Sequence, residues 1–154
     1  MKVAAFVFLI VCGLTCVQAE TITGRVVGVA DGDTITVLDA DNVQHKIRLA
    51  GIDAPEKEQA FGNRSKESLS DLAFNRQGSV DTTKKDRYGR NVGKVLIDGK
   101  DLNLVQIERG MAWWYRQYQR EQSPVDRKLY EAAEDAAKAD KRGLWRDAEP
   151  LAAW

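Results

Sequence analysis

The stretch IRLAGIDAPE at residues 47–56 combines a strand pattern with the polar groups of a site. Its first half alternates apolar residues with Arg48, which predicts a half-buried strand whose guanidinium lies on the polar face. Gly51 and Pro55 follow, and both residue types weaken or end a strand. The acids Asp53 and Glu56 therefore lie where a strand runs out into a loop.

These ten residues supply groups that could bind two kinds of partner, a divalent cation and a phosphate. Carboxylate and carbonyl oxygens are the ligands that hard divalent cations prefer. The planar guanidinium of Arg48 can hold a phosphate through paired hydrogen bonds. Taken alone, the stretch also fits an ordinary surface strand end with scattered charge, so its interpretation depends on the rest of the chain.

Period-two alternation and turn signals predict five strands. The predicted strands cover residues 21–29, 34–38, 43–50, 79–83 and 91–97. Short turns rich in Asp, Gly and Asn join the first three strands. These three strands are therefore expected to form an antiparallel meander.

Apolar residues at helical spacing predict three helices. The first covers residues 65–74, and the second runs from an Asp101 cap to Arg109. The third begins after Ser123 and Pro124. Its predicted apolar face consists of Leu129, Ala132, Ala133, Ala136 and Ala137. This order of elements predicts an α+β domain, a five-stranded Greek-key barrel with about three packed helices.

The composition of the 154-residue chain fits one domain, and its charges balance at 23 basic and 23 acidic residues. This balance argues against a protein that coats polyanions in general. Any contact with nucleic acid must then come from a local cluster of charge. The single histidine, His45, argues against histidine-based metal sites.

Residues 1–19 match a secretory leader, with an early lysine, an apolar run and a small-residue cleavage site at Ala19. The apolar run is too short for a comfortable membrane span, and an uncleaved anchor is the alternative. Cleavage removes one lysine and leaves 22 basic against 23 acidic residues in the domain 20–154. Both cysteines, Cys12 and Cys16, lie in the leader, so this domain is expected to have no disulfide.

Two more clusters carry polar groups of the same kind. The first is DGDT at residues 31–34, and the second is DRYGR at residues 86–90, preceded by Lys84 and Lys85. Each has an ordinary structural interpretation. The first is also a common hairpin turn, and the second is also a solvated charged loop.

Together the three clusters describe one chemistry. Asp33 and Asp53 are candidate oxygen ligands for a hard divalent cation, and a loop carbonyl near Ala54 and waters complete the shell. Arg48 and Arg90 are candidates to hold a phosphate and stabilise charge that grows on its oxygens.

Glu56 is the remaining acid of the opening stretch, and it can orient or deprotonate a water that attacks phosphorus. Tyr88 can stack on a base or donate a hydrogen bond to a phosphate oxygen.

The motifs DGDT, IRLAGIDAPE, DRYGR and GMAWWY, in this order and spacing, resemble the staphylococcal nuclease family. The resemblance covers essentially all of residues 20–148. It implies an OB-fold barrel with three helices and a calcium-dependent phosphodiesterase that acts on DNA and RNA. It also implies cleavage between phosphorus and the 5′ oxygen, which leaves 3′-phosphate ends.

The resemblance assigns roles by motif. It implies Asp33 and Asp53 as side-chain calcium ligands and Ala54 as the donor of a carbonyl, although the founding member has Thr at that place. The implied catalytic residues are Arg48, Glu56 and Arg90. The implied substrate-binding residues are Arg87, Tyr88 and Tyr115. Of the aromatic residues that follow Gly110, Tyr115 is favoured over Tyr118 for the substrate pocket, and at least one of Trp113 and Trp114 is expected in the core.

Two other classes of protein share some of these features. A catalytically silent OB-fold module would bind nucleic acid but typically lacks the arginines or the glutamate, and it would need a more basic surface. An extracellular calcium-binding domain would use the two aspartates. In such a domain Arg48 and Arg90 would have no role, and they would weaken cation binding by repulsion.

The sequence therefore predicts an exported nuclease, secreted or periplasmic. Its expected partners are DNA and RNA, with single-stranded or frayed substrates favoured. After removal of the leader, the chain is expected to be a monomer with no membrane attachment.

Overall fold

The computed structural model describes residues 19–146. The leader predicted over residues 1–19 thus lies outside the described residues except for Ala19, as does the chain after Arg146. The strands are β1 Glu20–Val29, β2 Thr34–Leu38, β3 Gln44–Leu49, β4 Ile52–Asp53, β5 Gln77–Lys85, β6 Asn91–Ile97, β7 Lys100–Asp101 and β8 Trp113–Trp114. The helices are α1 Gly62–Ala73, α2 Leu102–Glu108 and α3 Pro124–Ala139, with 3-10 helices at Arg116–Glu121 and Gly143–Arg146.

Five strands close into a barrel. The sheet order is β3-β2-β1-β5-β6-β7, and β3 also pairs with β6, which closes the circle. The β1–β2–β3 meander is antiparallel, whereas the β3–β6 pair is parallel and places Arg48 opposite Val92. The predicted α+β fold, a five-stranded OB-type barrel with three α-helices, is confirmed.

Alternation along the strands fills the barrel. Ile47 and Leu49 of β3 are buried and Arg48 between them is half-buried, as the period-two pattern predicted. The core also takes one face of each helix, including Leu69 of α1 and Ile107 of α2. Burial of such apolar side chains is the main stabilising contribution to a domain of this size.

The helix caps are those that the sequence indicated, but the apolar face of α3 differs. The Asp101 carboxylate accepts from Leu104 N–H, and the Ser123 hydroxyl accepts from Asp126 N–H. In α3 the buried residues are Tyr130, Ala133, Glu134 and Ala137. Three residues of the predicted face, Leu129, Ala132 and Ala136, are exposed. The predicted face is rotated by part of a helical turn, because the prediction gave small alanines the same weight as larger apolar residues and did not include Tyr130.

A second, two-stranded sheet lies outside the barrel. Strands β4 and β8 pair antiparallel, with Ile52 opposite Trp114 and Asp53 opposite Trp113. The sequence did not predict these two-residue strands, since they are too short to show alternation. No helix among residues 19–146 has the length and apolarity that crossing a bilayer requires.

A close approach of backbones in the barrel gives a test of the packing between β1 and β2. A Cβ added at Gly24 would lie 2.2 Å from the Leu38 carbonyl oxygen, whereas one at Gly28 would lie 3.5 Å from its nearest neighbour, in Thr36. We predict that Gly24→Ala lowers the free energy of unfolding by about 1–3 kcal/mol. The matched Gly28→Ala variant, on the same strand, should stay near wild type. Urea unfolding measures both, and equal stabilities of the two variants would contradict this packing.

Candidate active site

Three segments surround a cleft of about 560 Å³ on one side of the barrel. They are the β3–β4 region, the end of β5 with the loop into β6, and the chain after β8. Six residues of the predicted site line this cleft: Arg48, Asp53, Arg87, Tyr88, Arg90 and Tyr115. The structure thus brings together residues from three distant parts of the sequence.

Arg48 lies at the base of the site between two carboxylates. One terminal nitrogen of its guanidinium is 3.1 Å from Asp33 Oδ2 and 2.9 Å from Asp53 Oδ1. The other donates to the carbonyls of Leu49 and Ile52, at 2.8 and 2.9 Å. These bonds fix the direction of the guanidinium, because each one restricts a long side chain that would otherwise be free to move.

Asp33 is almost fully enclosed, with 6 % of the residue exposed. Its carboxylate accepts hydrogen bonds from the Ala54 backbone N–H and the Thr34 hydroxyl, at 2.9 and 3.0 Å. Burial raises the pKa of Asp33 to about 7, although the Arg48 guanidinium opposes the rise. The bond to Ala54 ties the loop after β4 to the loop before β2.

Negative charge exceeds positive charge around Arg48. The pKa of Asp53 is raised by burial against the opposing effect of Arg48, and the charges of Glu56 and Asp31 raise it further. Two carboxylates thus contact one guanidinium while the charges of Glu56 and Asp31 act on Asp53, and a divalent cation would neutralise the excess negative charge. The oxygen donors of Asp33 and Asp53 suit such a cation. Within residues 19–146, however, no three His, Cys, Asp or Glu side chains converge as a metal-binding group, so carbonyl and water oxygens would have to complete the shell.

Glu56 lies apart from the residues that line the cleft. It is exposed, and its backbone N–H donates to Gln59 Oε1 at 2.7 Å at the start of the turn before α1. Its charge nevertheless reaches Asp53, since it contributes to the raised pKa of that carboxyl. Glu56 is therefore a neighbour of the carboxylate end of the site, and its side chain is accessible to water.

The β5–β6 loop is organised by Asp86. Its carboxylate accepts from the backbone N–H groups of Tyr88 and Arg90, at 2.9 and 3.0 Å, and from Arg90 Nε at 2.7 Å. Burial alone would raise the pKa of Asp86, but the hydrogen bonds from Arg90 outweigh it and lower that pKa. Asp86 thus holds the loop conformation and aims the Arg90 guanidinium.

Tyr88 presents an aromatic surface between two cations. The ring is 68 % exposed, and the guanidinium carbons of Arg87 and Arg90 lie 4.8 and 5.4 Å from its centroid. The hydroxyl of Tyr88 also contacts Arg87, at 2.7 Å. An exposed ring beside two guanidinium groups is suited to a base attached to a phosphate.

The segment after β8 brings both candidate tyrosines to the cleft. Tyr115 and Tyr118 both line it, and their rings make an edge contact with centroids 4.9 Å apart. Lys84 lies 5.0 Å from the Tyr118 ring and pairs with Glu121 at 2.6 Å. The sequence analysis favoured Tyr115 over Tyr118, whereas both line the cleft. It did not identify Glu121, because a 3-10 helix has no strong apolar period.

Trp113 and Trp114 are both buried, each with 3 % exposed, so the expectation that at least one belongs to the core is confirmed. Trp114 is held by a network around Glu134 of α3, itself 1 % exposed. The Glu134 carboxylate accepts from Trp114 N–H at 3.1 Å and pairs with Arg116 at 2.6 Å and Lys138 at 3.0 Å. This network fixes β8 and the start of the segment that carries the two cleft tyrosines. Glu134 is one of two glutamates in an alanine-rich helix, and nothing in the sequence distinguishes its role from that of Glu131.

Comparison with known proteins agrees with this architecture. The family model described as "Staphylococcal nuclease homologue" matches residues 46–147, about two thirds of the chain. The chain belongs to the staphylococcal nuclease family.

Relatives from several bacteria align over most of the chain. A Haemophilus influenzae protein described as an "uncharacterized endonuclease" is 41 % identical over 138 residues, which are 90 % of this chain and 74 % of that protein. An Escherichia coli O157:H7 protein with the same description is 41 % identical over 139 residues, 90 % of this chain and 86 % of that protein. A "micrococcal nuclease" of Shigella flexneri is 39 % identical over 140 residues, 85 % of this chain and 78 % of that protein.

The Glu134 network gives a test of how the cleft wall is held. We predict that Glu134→Leu lowers the free energy of unfolding by about 1–3 kcal/mol, because it leaves the buried backbone N–H of Trp114 without its acceptor. The matched Glu134→Gln variant keeps an acceptor oxygen, and Arg116 and Lys138 are exposed enough to be solvated. It should therefore lose much less stability. Thermal or urea unfolding distinguishes the two, and a Leu variant as stable as wild type would show that the hydrogen bond contributes nothing.

Proposed function

We propose that the protein is an exported, calcium-dependent nuclease that hydrolyses DNA and RNA phosphodiesters and leaves 3′-phosphate ends. The observation that carries the proposal is the convergence of Arg48, Arg90 and the Asp33–Asp53 pair at one side of the barrel. Membership of a family whose relatives include proteins described as endonucleases supports the same class of reaction.

The two guanidinium groups account for phosphate binding. Arg48 and Arg90 both line the cleft, and each is oriented by a carboxylate, Asp53 at 2.9 Å and Asp86 at 2.7 Å. Groups held in this way cost little reorganisation when charge develops on a phosphate oxygen. Their role is to hold the phosphodiester and to stabilise the transition state.

Asp33, Asp53 and the carbonyl of Ala54 would hold the calcium ion. When bound, calcium supplies electrostatic activation, since a hard cation polarises a phosphate oxygen and lowers the pKa of a bound water. The chain contributes the buried carboxylate of Asp33, which the Ala54 N–H and the Thr34 hydroxyl keep in place.

Glu56 is the proposed group that activates water. It is exposed, so that a water molecule can reach it, and its charge acts on Asp53. In this role the carboxylate accepts a proton from the water as the oxygen attacks phosphorus. The bond between phosphorus and the 5′ oxygen breaks, this oxygen takes up a proton from solvent and leaves as a hydroxyl, and the phosphate remains on the 3′ oxygen of the preceding nucleotide.

Aromatic residues account for binding of the bases. The exposed ring of Tyr88 and the Tyr115–Tyr118 pair can stack on bases without reading their identity, because every base has a stacking face. Arg87 beside Tyr88 is placed to hold a neighbouring phosphate. Stacking of this kind requires unpaired bases, which favours single-stranded or frayed substrates. The same chemistry accepts either sugar.

A catalytically silent nucleic-acid-binding module is the second candidate. It would use the same tyrosines and arginines for binding. The presence of Glu56 together with Asp33 and Asp53 favours the enzyme, since binding alone needs no acid in a polyanion cleft. A calcium-binding domain without catalysis would leave Arg48 and Arg90 unexplained.

The proposed site of action is the periplasm or the outside of the cell, where the leader at residues 1–19 would direct the protein. We propose that the active form is a monomer. Removal of the leader would leave no membrane attachment.

The metal requirement can be tested with the purified protein and heat-denatured DNA. We predict hydrolysis in calcium and its loss in chelator, because the excess negative charge at Asp33 and Asp53 needs a cation before a phosphate can approach. Restoration by added calcium is the control for irreversible damage. End-group analysis should find 3′-phosphates. Hydrolysis that survives chelation, or none in calcium, would exclude a calcium-dependent nuclease.

The assigned catalytic groups can be tested by substitution. Glu56→Gln and Arg90→Ala should each reduce kcat by about 10²–10⁴-fold, the usual cost of removing a general base or a charge-stabilising group. Glu58→Gln is a matched control for the first, since Glu58 is an exposed acid in the same loop. Circular dichroism checks that each variant folds. A Glu56→Gln variant with the wild-type rate would show that another group activates the water.

A further inference from the structure

A second groove, of about 490 Å³, lies between α1, the end of α2 and the C-terminal 3-10 helix. Four arginines line it: Arg64, Arg109, Arg142 and Arg146. Two acids, Glu67 and Asp71, line it as well, so the charged residues of this arginine groove sum to +2. The whole chain has a formal net charge of zero, so this groove is a local concentration of positive charge.

The backbone brings these arginines together through a close contact of two glycines. Gly110 and Gly143 both have positive φ, 68° and 50°. A Cβ at Gly143 would lie 2.2 Å from the Gly110 carbonyl oxygen, so no larger side chain fits without a shift. Leu144 N–H donates to the same carbonyl at 2.8 Å. This contact seats the segment with Arg142 and Arg146 against the end of α2.

Side-chain bonds further support the groove, and one of them, the ion pair of Arg142 with Asp140, neutralises part of its charge. Arg142 donates to the Glu108 carbonyl at 2.8 Å and pairs with Asp140 outside the groove. Arg109 donates to the Ser68 hydroxyl at 3.2 Å. A hydroxyl and a carbonyl carry no formal charge, so Arg109 keeps its net charge. Arg64 and Arg146 are exposed.

The arginine groove is connected to the candidate active site through buried hydrogen bonds. Ser68 donates to Gln106 Oε1 at 2.7 Å, and Gln106 Nε2 donates to the Gly32 carbonyl at 2.8 Å. Gly32 precedes Asp33 in the loop before β2. Gln106 is fully buried, with 0 % exposed. The wall of the groove and the loop that carries Asp33 are therefore parts of one rigid network.

We propose that the arginine groove is a second binding site for the phosphate backbone of a nucleic-acid strand, separate from the cleft that holds the cleaved bond. The proposal rests on the proposed function, which makes such a strand the substrate. Guanidinium groups from three chain segments can each donate to a phosphate, and an extended strand offers one phosphate per nucleotide to such a set. The two acids of the groove, Glu67 and Asp71, repel phosphate and are expected to weaken the contact.

The experiment measures binding of labelled single strands by fluorescence anisotropy, in chelator, where the proposed hydrolysis stops. The Arg64→Gln/Arg146→Gln double variant should bind a long strand about tenfold more weakly. This loss corresponds to the combined binding free energy of two exposed ion pairs with phosphates. The slope of log affinity against log salt should become shallower by about 1.4, at ~0.7 per phosphate. A dinucleotide, which fills the cleft alone, should bind equally to both proteins.

Two further variants sharpen the test. Glu67→Gln/Asp71→Asn removes the acids of the groove and should tighten binding of the long strand. Arg25→Gln, an exposed arginine of β1 outside both grooves, should change neither affinity nor slope appreciably. Unfolding midpoints for all variants confirm that each is folded.

The outcomes separate this proposal from the proposed function. The proposal would be overturned if the double arginine variant bound the long strand with wild-type affinity. It would also be overturned if the dinucleotide lost as much affinity as the long strand, or if the acid variant bound the long strand no more tightly. If the wild-type protein hydrolyses nothing yet the length-dependent loss is found, the groove stands and the nuclease proposal fails.

Discussion

The guanidinium of Arg48, held between the carboxylates of Asp33 and Asp53, is the interaction on which the candidate site depends. It joins the loop before β2 to the end of β4, and its bonds to backbone carbonyls fix it to the β3–β4 turn. The arrangement is electrostatically unbalanced, because one cation faces more than one acid. An excess of carboxylate charge of this kind suits a further cation, and it is the physical basis of the proposed metal requirement.

The rest of the molecule holds this centre and its surroundings in place through buried polar groups. Glu134 holds β8, which pairs with the strand that carries Asp53. Asn103 donates to the carbonyls of Ala50 and Gly93, and so joins the end of β3 to β6. Each of these side chains is buried and bonded, and their precise geometry is what an apolar core alone would not provide. The helices therefore serve as supports for a site that lies on the barrel.

Much of the fold could be predicted from local patterns. The five barrel strands and the caps at Asp101 and Ser123 follow from alternation and residue type, because each depends on neighbours in sequence. The convergence of Arg48 and Arg90 could not be derived from such patterns, since it depends on the parallel pairing of β3 with β6. The part played by Glu121, and that of Glu134, was also hidden. Both lie in segments whose geometry is set by tertiary contacts rather than by period, and the same reason explains the misjudged face of α3.

A crystal structure of the protein with calcium and a non-hydrolysable dinucleotide would show directly whether the two aspartates and the two arginines form one site. We expect a calcium ion bound by oxygens of Asp33 and Asp53, and the bridging phosphate in contact with the guanidinium groups of Arg48 and Arg90. A phosphate bound away from these two arginines, or a cation bound without either aspartate, would contradict it.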